Sequence, residues 1–117
     1  MSTIETASFE ERLRQAARFR EKYIDRVPIV IQNDERCSLP RTMHNNLFII
    51  PKNNTAGDLL ALIRKKTYLP KTQAIAMFVG HQNLVMIDMT LSELYERYSD
   101  NDGFLYILCT DHEVFGN

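Results

Sequence analysis

Phe104-Leu105-Tyr106-Ile107-Leu108-Cys109 is the most apolar stretch of the chain and sits close to its end. A short, near-continuous apolar run of this kind predicts a strand in the middle of a sheet, buried on both faces. Asp100-Asn101-Asp102-Gly103 before it reads as a turn. Upstream of that turn, Thr90 and Glu93 form a cap signal that opens a short helix carrying Leu91, Leu94, Tyr95 and Tyr98.

Working further outward, Ala74–Val79 and Leu84–Ile87 read as strands joined by a turn at Gly80-His81-Gln82-Asn83. Thr55 and Asp58 cap a second helix, whose Leu59, Leu62, Ile63 and Lys66 share one face and which Pro70 terminates. Leu47–Pro51 and β-branched Val27–Gln32 are two more strands, separated by the polar, Pro40-containing loop Asn33–Asn46. At the front, Ser8 and Glu11 form a capping box for a helix with Phe9, Leu13, Ala16, Ala17 and Tyr23 at helical spacing. Arg26-Val27-Pro28 is expected to end it, because a residue before proline is pushed toward extended geometry. The order is a helix followed by β-β-α-β-β-α-β. That is the α+β order of the ubiquitin-like β-grasp, with an N-terminal helical extension packed on its outside. The organisation expected is a short segment at 1–8, the helical extension at 9–26, the core at 27–110 and a tail at 111–117.

Composition narrows the function. The chain has 117 residues, 44% hydrophobic and 25% charged, with a formal net charge of −1. One globular domain with its own core is expected. Two cysteines are too few for a disulfide scaffold. The N-terminus has neither a basic patch nor an apolar segment of a secretory signal, and lacks the Gly that N-myristoylation requires. Both long apolar runs fall far short of the ~18 residues of a membrane span. A soluble cytoplasmic protein is expected, so membrane contact would need a covalent step or a partner. The net charge conceals a basic front (Arg12, Arg14, Arg18, Arg20, Lys22, Arg26) and an acidic back, where Arg97 alone opposes the acidic residues after Ile87. Such a front suits acidic partner segments.

Catalysis finds little support. His44, His81 and His112 are scattered and lack metal-ligand spacing. Cys109 near His112 lies on an apolar strand, where a thiol is ordinarily an inert core group. Cys37 reads as a free thiol in a loop. No phosphate-binding glycine loop or nucleophile elbow is present, and Asp100–Gly103 lacks the ligands of a calcium loop. No enzyme activity, metal or cofactor is expected. Arg64-Lys65-Lys66 lacks the aromatic platform of a nucleic-acid site, so no nucleic-acid partner is expected.

Peptide recognition fares better. Leu47-Phe48-Ile49-Ile50-Pro51 is the second strand, which a β-grasp places at a sheet edge. An edge can take an extended peptide as a further strand, with Arg26 and Lys66 holding acidic residues beside it. The plain alternative is that these five residues only pack the core. At the other end, Gly116 has no Cβ to block attack at its carbonyl, as C-terminally joined modifiers require.

Glu21–Pro28, Leu62-Ile63-Arg64-Lys65-Lys66, Phe104-Leu105-Tyr106-Ile107 and Val114-Phe115-Gly116, in order and at matching spacing from Phe9 to Asn117, resemble the autophagy ubiquitin-like modifier family. That family includes the GABA-receptor-associated and microtubule-associated light-chain proteins. The resemblance implies a processing cysteine protease that cuts between Phe115-Gly116 and Asn117. It implies activating and conjugating enzymes that join Gly116 to phosphatidylethanolamine, and an autophagosomal membrane location once lipidated. It implies cargo receptors and adaptors bearing aromatic-x-x-aliphatic motifs. The aromatic pocket would comprise Gln15, Phe19, Pro28, Leu47, Ile49 and Phe104. The aliphatic pocket would comprise Phe48, Ile50, Pro51, Asn54, Leu59 and Leu62, with Arg26 pairing the motif's acidic residues. The sequence departs from the family at Asn45, Asn46 and Leu47, which stand where lysines are usual, and at Asn54, where an apolar residue is usual. Weaker attraction for acidic motifs and a more apolar first pocket follow. The alternative of the same fold is a non-conjugated adaptor that uses only the groove.

Overall fold

The structure is a computed structural model that describes residues 6–33, 46–67, 72–80 and 82–111. Helix α1 spans Phe9–Lys22. Ser8 caps it, its hydroxyl accepting from the Glu11 N–H at 3.2 Å, and acidic residues fill the first turn while Arg20 and Lys22 fill the last, matching the helix dipole. The helix stops four residues before Arg26, earlier than Pro28 would dictate. Tyr23 leaves helical geometry, its N–H still bonded to Phe19 O, and Arg26 N–H closes a tight turn on Tyr23 O at 3.1 Å. Pro28 therefore lies inside strand β1 (Arg26–Asn33). Its missing N–H costs nothing there, since β1 begins pairing with the next neighbour only at Ile29.

Strands β2 (Leu47–Pro51), β3 (Ile75–Val79), β4 (Asn83–Leu84) and β5 (Leu105–Asp111) complete a five-stranded sheet in the order β2-β1-β5-β3-β4. The last strand is central, parallel to β1 and antiparallel to β3. Two differences from the sequence reading concern it. Phe104 stands just before the strand, because its N–H goes to Asp102 Oδ1 at 2.9 Å instead of into the ladder. And the two faces of β5 differ. Leu105, Ile107 and Cys109 are fully buried, whereas Tyr106 and Leu108 are half-buried, since α1 covers only part of their face.

Helices α2 (Ala56–Thr67) and α3 (Leu91–Tyr98) cover the opposite face. There Val27, Ile29, Ile31, Phe48, Ile50, Leu59, Ile63, Leu105 and Ile107 form the main core. Ala16, Val30 and Phe104 form a second, smaller cluster under α1. The alternation along each strand assigns its residues to one face or the other.

The fourth strand is shorter than Leu84–Ile87 suggests. After Val85 donates to Met77 O at 2.9 Å, the chain turns away and its carbonyls serve a helix. Ile87 O and Met89 O accept from Gly57 N and Ala56 N, two donors that the first turn of α2 leaves unsatisfied. Thr55 and Asp58 add a reciprocal capping box, and Leu91 N and Ser92 N in turn bond Asn54 O and Lys52 O. The starts of α2 and α3 are thus built against each other. The Cys109 thiol is buried and in no disulfide among the described residues. Cys37, the three histidines and Pro70 lie outside the described residues.

Candidate functional site

Hydrogen bonding along β1 and β2 determines what the sheet edge presents. Ile31 N donates to Asn46 O at 2.9 Å and Lys52 N to Asp25 O at 2.8 Å. These bonds mark the hydrogen-bonded pairs of an antiparallel ladder, which recur every second residue. The alternate pairs are Val30↔Leu47, Pro28↔Ile49 and Arg26↔Pro51. The N–H and C=O groups of Ile49 therefore point away from β1, toward the outside of the sheet. Its carbonyl accepts from Arg26 Nη1 at 3.2 Å, and among the described residues its N–H has no partner. Asn46, at one of the positions where the family usually carries lysine, is used structurally. Its Nδ2 donates to Ile31 O at 2.9 Å and closes the end of the ladder.

On the α1 side of this edge, Pro28, Leu47 and Ile49 adjoin in register. Phe104 is the floor, with no exposed surface. Phe19 packs edge-on against it, the ring centroids 6.5 Å apart at 66°. Phe19, Leu47 and Ile49 are half-buried and form walls; Gln15, one turn before Phe19, is exposed. Phe19 and Leu47 pack on the Ala16, Val30 and Phe104 cluster, an apolar patch beside the outward backbone of β2.

The other side is different. Phe48, Ile50 and Leu59 are 4%, 9% and 0% exposed and belong to the main core. They supply only a floor, and the accessible lining falls to half-buried Leu62, Pro51 and Asn54. Lys66 lies over the Phe48 ring, its Nζ 5.4 Å from the centroid. Arg26 stands at the Pro51 end of the strand, its guanidinium 6.0 Å from the Tyr23 ring. The two cations thus flank different parts of β2. Phe115, Gly116 and Asn117 lie outside the described residues.

A polar network that the sequence does not advertise holds α1 against the residues that precede β5. Asp102, read as a turn residue, is fully buried. Its Oδ2 accepts from Arg12 Nε at 3.0 Å and from the Tyr106 hydroxyl, and its Oδ1 from Phe104 N–H. Arg12 Nη1 also donates to Ala7 O at 2.6 Å. The bond to Asp102 raises the Arg12 pKa. Burial, reinforced by the same carboxylate, pushes the Tyr106 phenol well above its ordinary range. Next to Asp102, Gly103 adopts φ +92°, and a Cβ there would lie 2.8 Å from Ala16 Cβ. Arg12, Ala16 and Phe19 lie on one helical face, and each meets a successive residue of Asp102-Gly103-Phe104. A carboxylate immediately before an apolar strand is the one sequence signal that could have revealed the anchor.

Among the described residues no group of three or more His, Cys, Asp or Glu side chains is placed to hold a metal ion. No described helix is long and apolar enough to cross a membrane.

Residues 11–116 match the protein family described as autophagy protein Atg8, ubiquitin like. The chain is 36% identical over 108 residues to autophagy-related protein 8 of Pichia angusta, covering 92% of this chain and 85% of that one. It is 35% identical over 108 residues to autophagy-related protein 8e of Arabidopsis thaliana, covering 92% and 87%. The crystal structure of Trypanosoma brucei ATG8 superposes with a TM-score of 0.86 at 25% identity, covering 93% of this chain and 92% of that one.

Proposed function

The chain belongs to the Atg8 ubiquitin-like family of autophagy proteins, and from that membership we propose that it is a lipid-conjugated modifier whose β2 edge recruits receptors. A cysteine protease removes Asn117. Activating and conjugating enzymes then form an amide between Gly116 and the amine of phosphatidylethanolamine. The product resides on autophagosomal membranes, and the unconjugated protein in the cytoplasm. Receptors bearing an aromatic-x-x-aliphatic motif add a strand to β2.

The observation that carries the recruiting role is the Ile49 backbone. It points outward beside the apolar patch of Phe19, Leu47 and Phe104. Backbone pairing supplies affinity in this mode of binding, and the pockets for alternate side chains supply selectivity. An aromatic side chain docking on that patch would meet the Phe19 ring and the aliphatic walls, contacts worth about 0.5–1.5 kcal/mol beyond area burial for the aromatic pair. The neutral edge at Asn46 and Leu47 favours motifs with few acidic flanking residues.

Intact mass and fractionation test the conjugation. Gly116→Ala is expected to keep the protein diffuse in cells and without added phospholipid, whereas wild type loses Asn117 and gains the lipid mass. A Gly116→Ala protein that still forms membrane puncta would refute conjugation at this glycine and favour a non-conjugated adaptor.

A further inference from the structure

A concavity of about 360 Å³ opens where α1 ends and β1 begins. Arg20 comes to it from α1, Arg26 from the start of β1 and Lys52 from just beyond β2. Among the described residues none of these three cations has a carboxylate within ion-pair distance. Two of them are held in place. The Arg20 guanidinium lies 5.4 Å from the centre of the Tyr95 ring, and Tyr95 is itself fixed by its hydroxyl donating to Gly103 O at 2.6 Å. Arg26 spends one Nη1 bond on Ile49 O, which leaves the rest of its donor fork available. Ser92 and Ser99 contribute hydroxyls from the two ends of α3, and Glu96 is the single carboxylate in the lining.

Three cations and one carboxylate give the concavity a local charge of +2, formed from separate elements and furnished with hydroxyl donors. We propose that it binds a phosphate monoester, a compact dianion at neutral pH. Arginine forks match phosphate oxygens in pairs, and lysine adds a point charge. A lone carboxylate ligand would leave the site under-neutralised, and Glu96 disfavours a longer polyanion. The ester comes from a soluble molecule and not from a bilayer. Because β1 and β5 run parallel, the concavity lies at the end of the sheet where β5 starts, and the tail leaves from the other end. Those ends are about 20 Å apart at strand spacing, which sets the site at the opposite end of the sheet from where the chain runs on toward Gly116. The choice of a soluble source rests on the conjugation reading; the anion site itself does not.

The test titrates the unconjugated protein, followed by amide NMR, with inorganic phosphate, phosphoserine, sulfate and chloride at matched ionic strength. Phosphate and phosphoserine are expected to give saturable shifts around Arg20, Lys52, Ser92 and Ser99 that chloride does not. Phosphoserine binding should weaken below about pH 6, as the dianion is protonated, while sulfate binding persists. The double variant Arg20→Gln, Lys52→Gln should bind phosphate at least about tenfold more weakly, with the melting temperature and the affinity for an unphosphorylated aromatic-x-x-aliphatic peptide unchanged. Shifts that follow ionic strength alone, or survive the double variant, would overturn the site. Phosphatidic-acid vesicles bound more tightly than phosphoserine, through the same two residues, would overturn the soluble source.

Discussion

Asp102→Asn probes how α1 is held against the residues that precede β5. The wild-type carboxylate serves three donors, Phe104 N–H on Oδ1 and Arg12 Nε with the Tyr106 hydroxyl on Oδ2. An asparagine amide has one acceptor oxygen. In one orientation its NH₂ faces Arg12 and Tyr106, and in the other it faces the buried Phe104 N–H. Either way at least one donor is left opposite another donor, at about 1–3 kcal/mol, and the charge that strengthened the Arg12 bond is gone. Removing one member of a buried pair typically costs about 3–5 kcal/mol. Here the Arg12 side chain is 25% exposed and regains water, which places the expected loss near the bottom of that range, about 3 kcal/mol. For a chain of this length that is a fall in melting temperature of roughly 10–15 °C. Calorimetry gives the global number, and hydrogen exchange locates it: α1 amides should lose protection before those of β5. Arg12→Met, which strands the buried carboxylate, should cost at least as much, and the double variant less than the sum of the two. If Asp102→Asn stays within about 1 kcal/mol of wild type and α1 protection is unchanged, the ion pair does not hold the helix.

Three further outcomes follow from features beside this anchor. Gly103→Ala should destabilise by about 2–4 kcal/mol, combining the positive φ with the overlap on Ala16; Ala16→Gly in the same chain should recover only part, since it relieves the overlap and not the backbone strain, as denaturant titration would show. Burial raises the Tyr95 and Tyr106 phenols above their ordinary value of 10.0, so they keep their protons while the unfolded chain ionises; stability is full below pH 10 and falls as pH rises beyond it, as denaturant titrations across that range would show. Ile49→Asp should weaken binding of an aromatic-x-x-aliphatic peptide at least about tenfold by fluorescence polarisation, because it puts a charge against the apolar patch; unchanged affinity would remove the β2 edge from the binding site.

Local signals carried most of the fold into view. The capping residues Ser8, Thr55 and Thr90 fix helix starts through bonds made within four residues, and Leu47–Pro51 is a continuous apolar run that ends on a proline, so its boundaries are legible. What the sequence hides is decided by distant partners. The end of α1 depends on a turn at Tyr23, not on the proline. The fourth strand is cut short because Ile87 and Met89 are taken by α2, thirty residues earlier in sequence. Asp102 looks like any turn aspartate until Arg12, ninety residues away, is brought against it. The apolar groove residues were recognisable in kind. Which of them face outward depends on which pairs of the ladder are hydrogen-bonded, and that emerges only from the register. The sequence shows Phe48, Ile50 and Leu59 to be apolar, but only packing shows them to be floor and not wall.

The position of β5 bears on how the molecule comes into being. It follows the other four described strands in the chain, yet it joins the two halves of the sheet, β1 with β2 on one side and β3 with β4 on the other. Until Leu105–Asp111 leave the ribosome, the nascent chain has two unconnected hairpins, and neither two-stranded pair is stable alone. Folding of this sheet therefore waits for β5, and its decisive contacts, Ile29 with Leu105 among them, join residues far apart in sequence. A premature stop anywhere before residue 105 would yield no smaller folded version, only exposed strand edges for quality control to find.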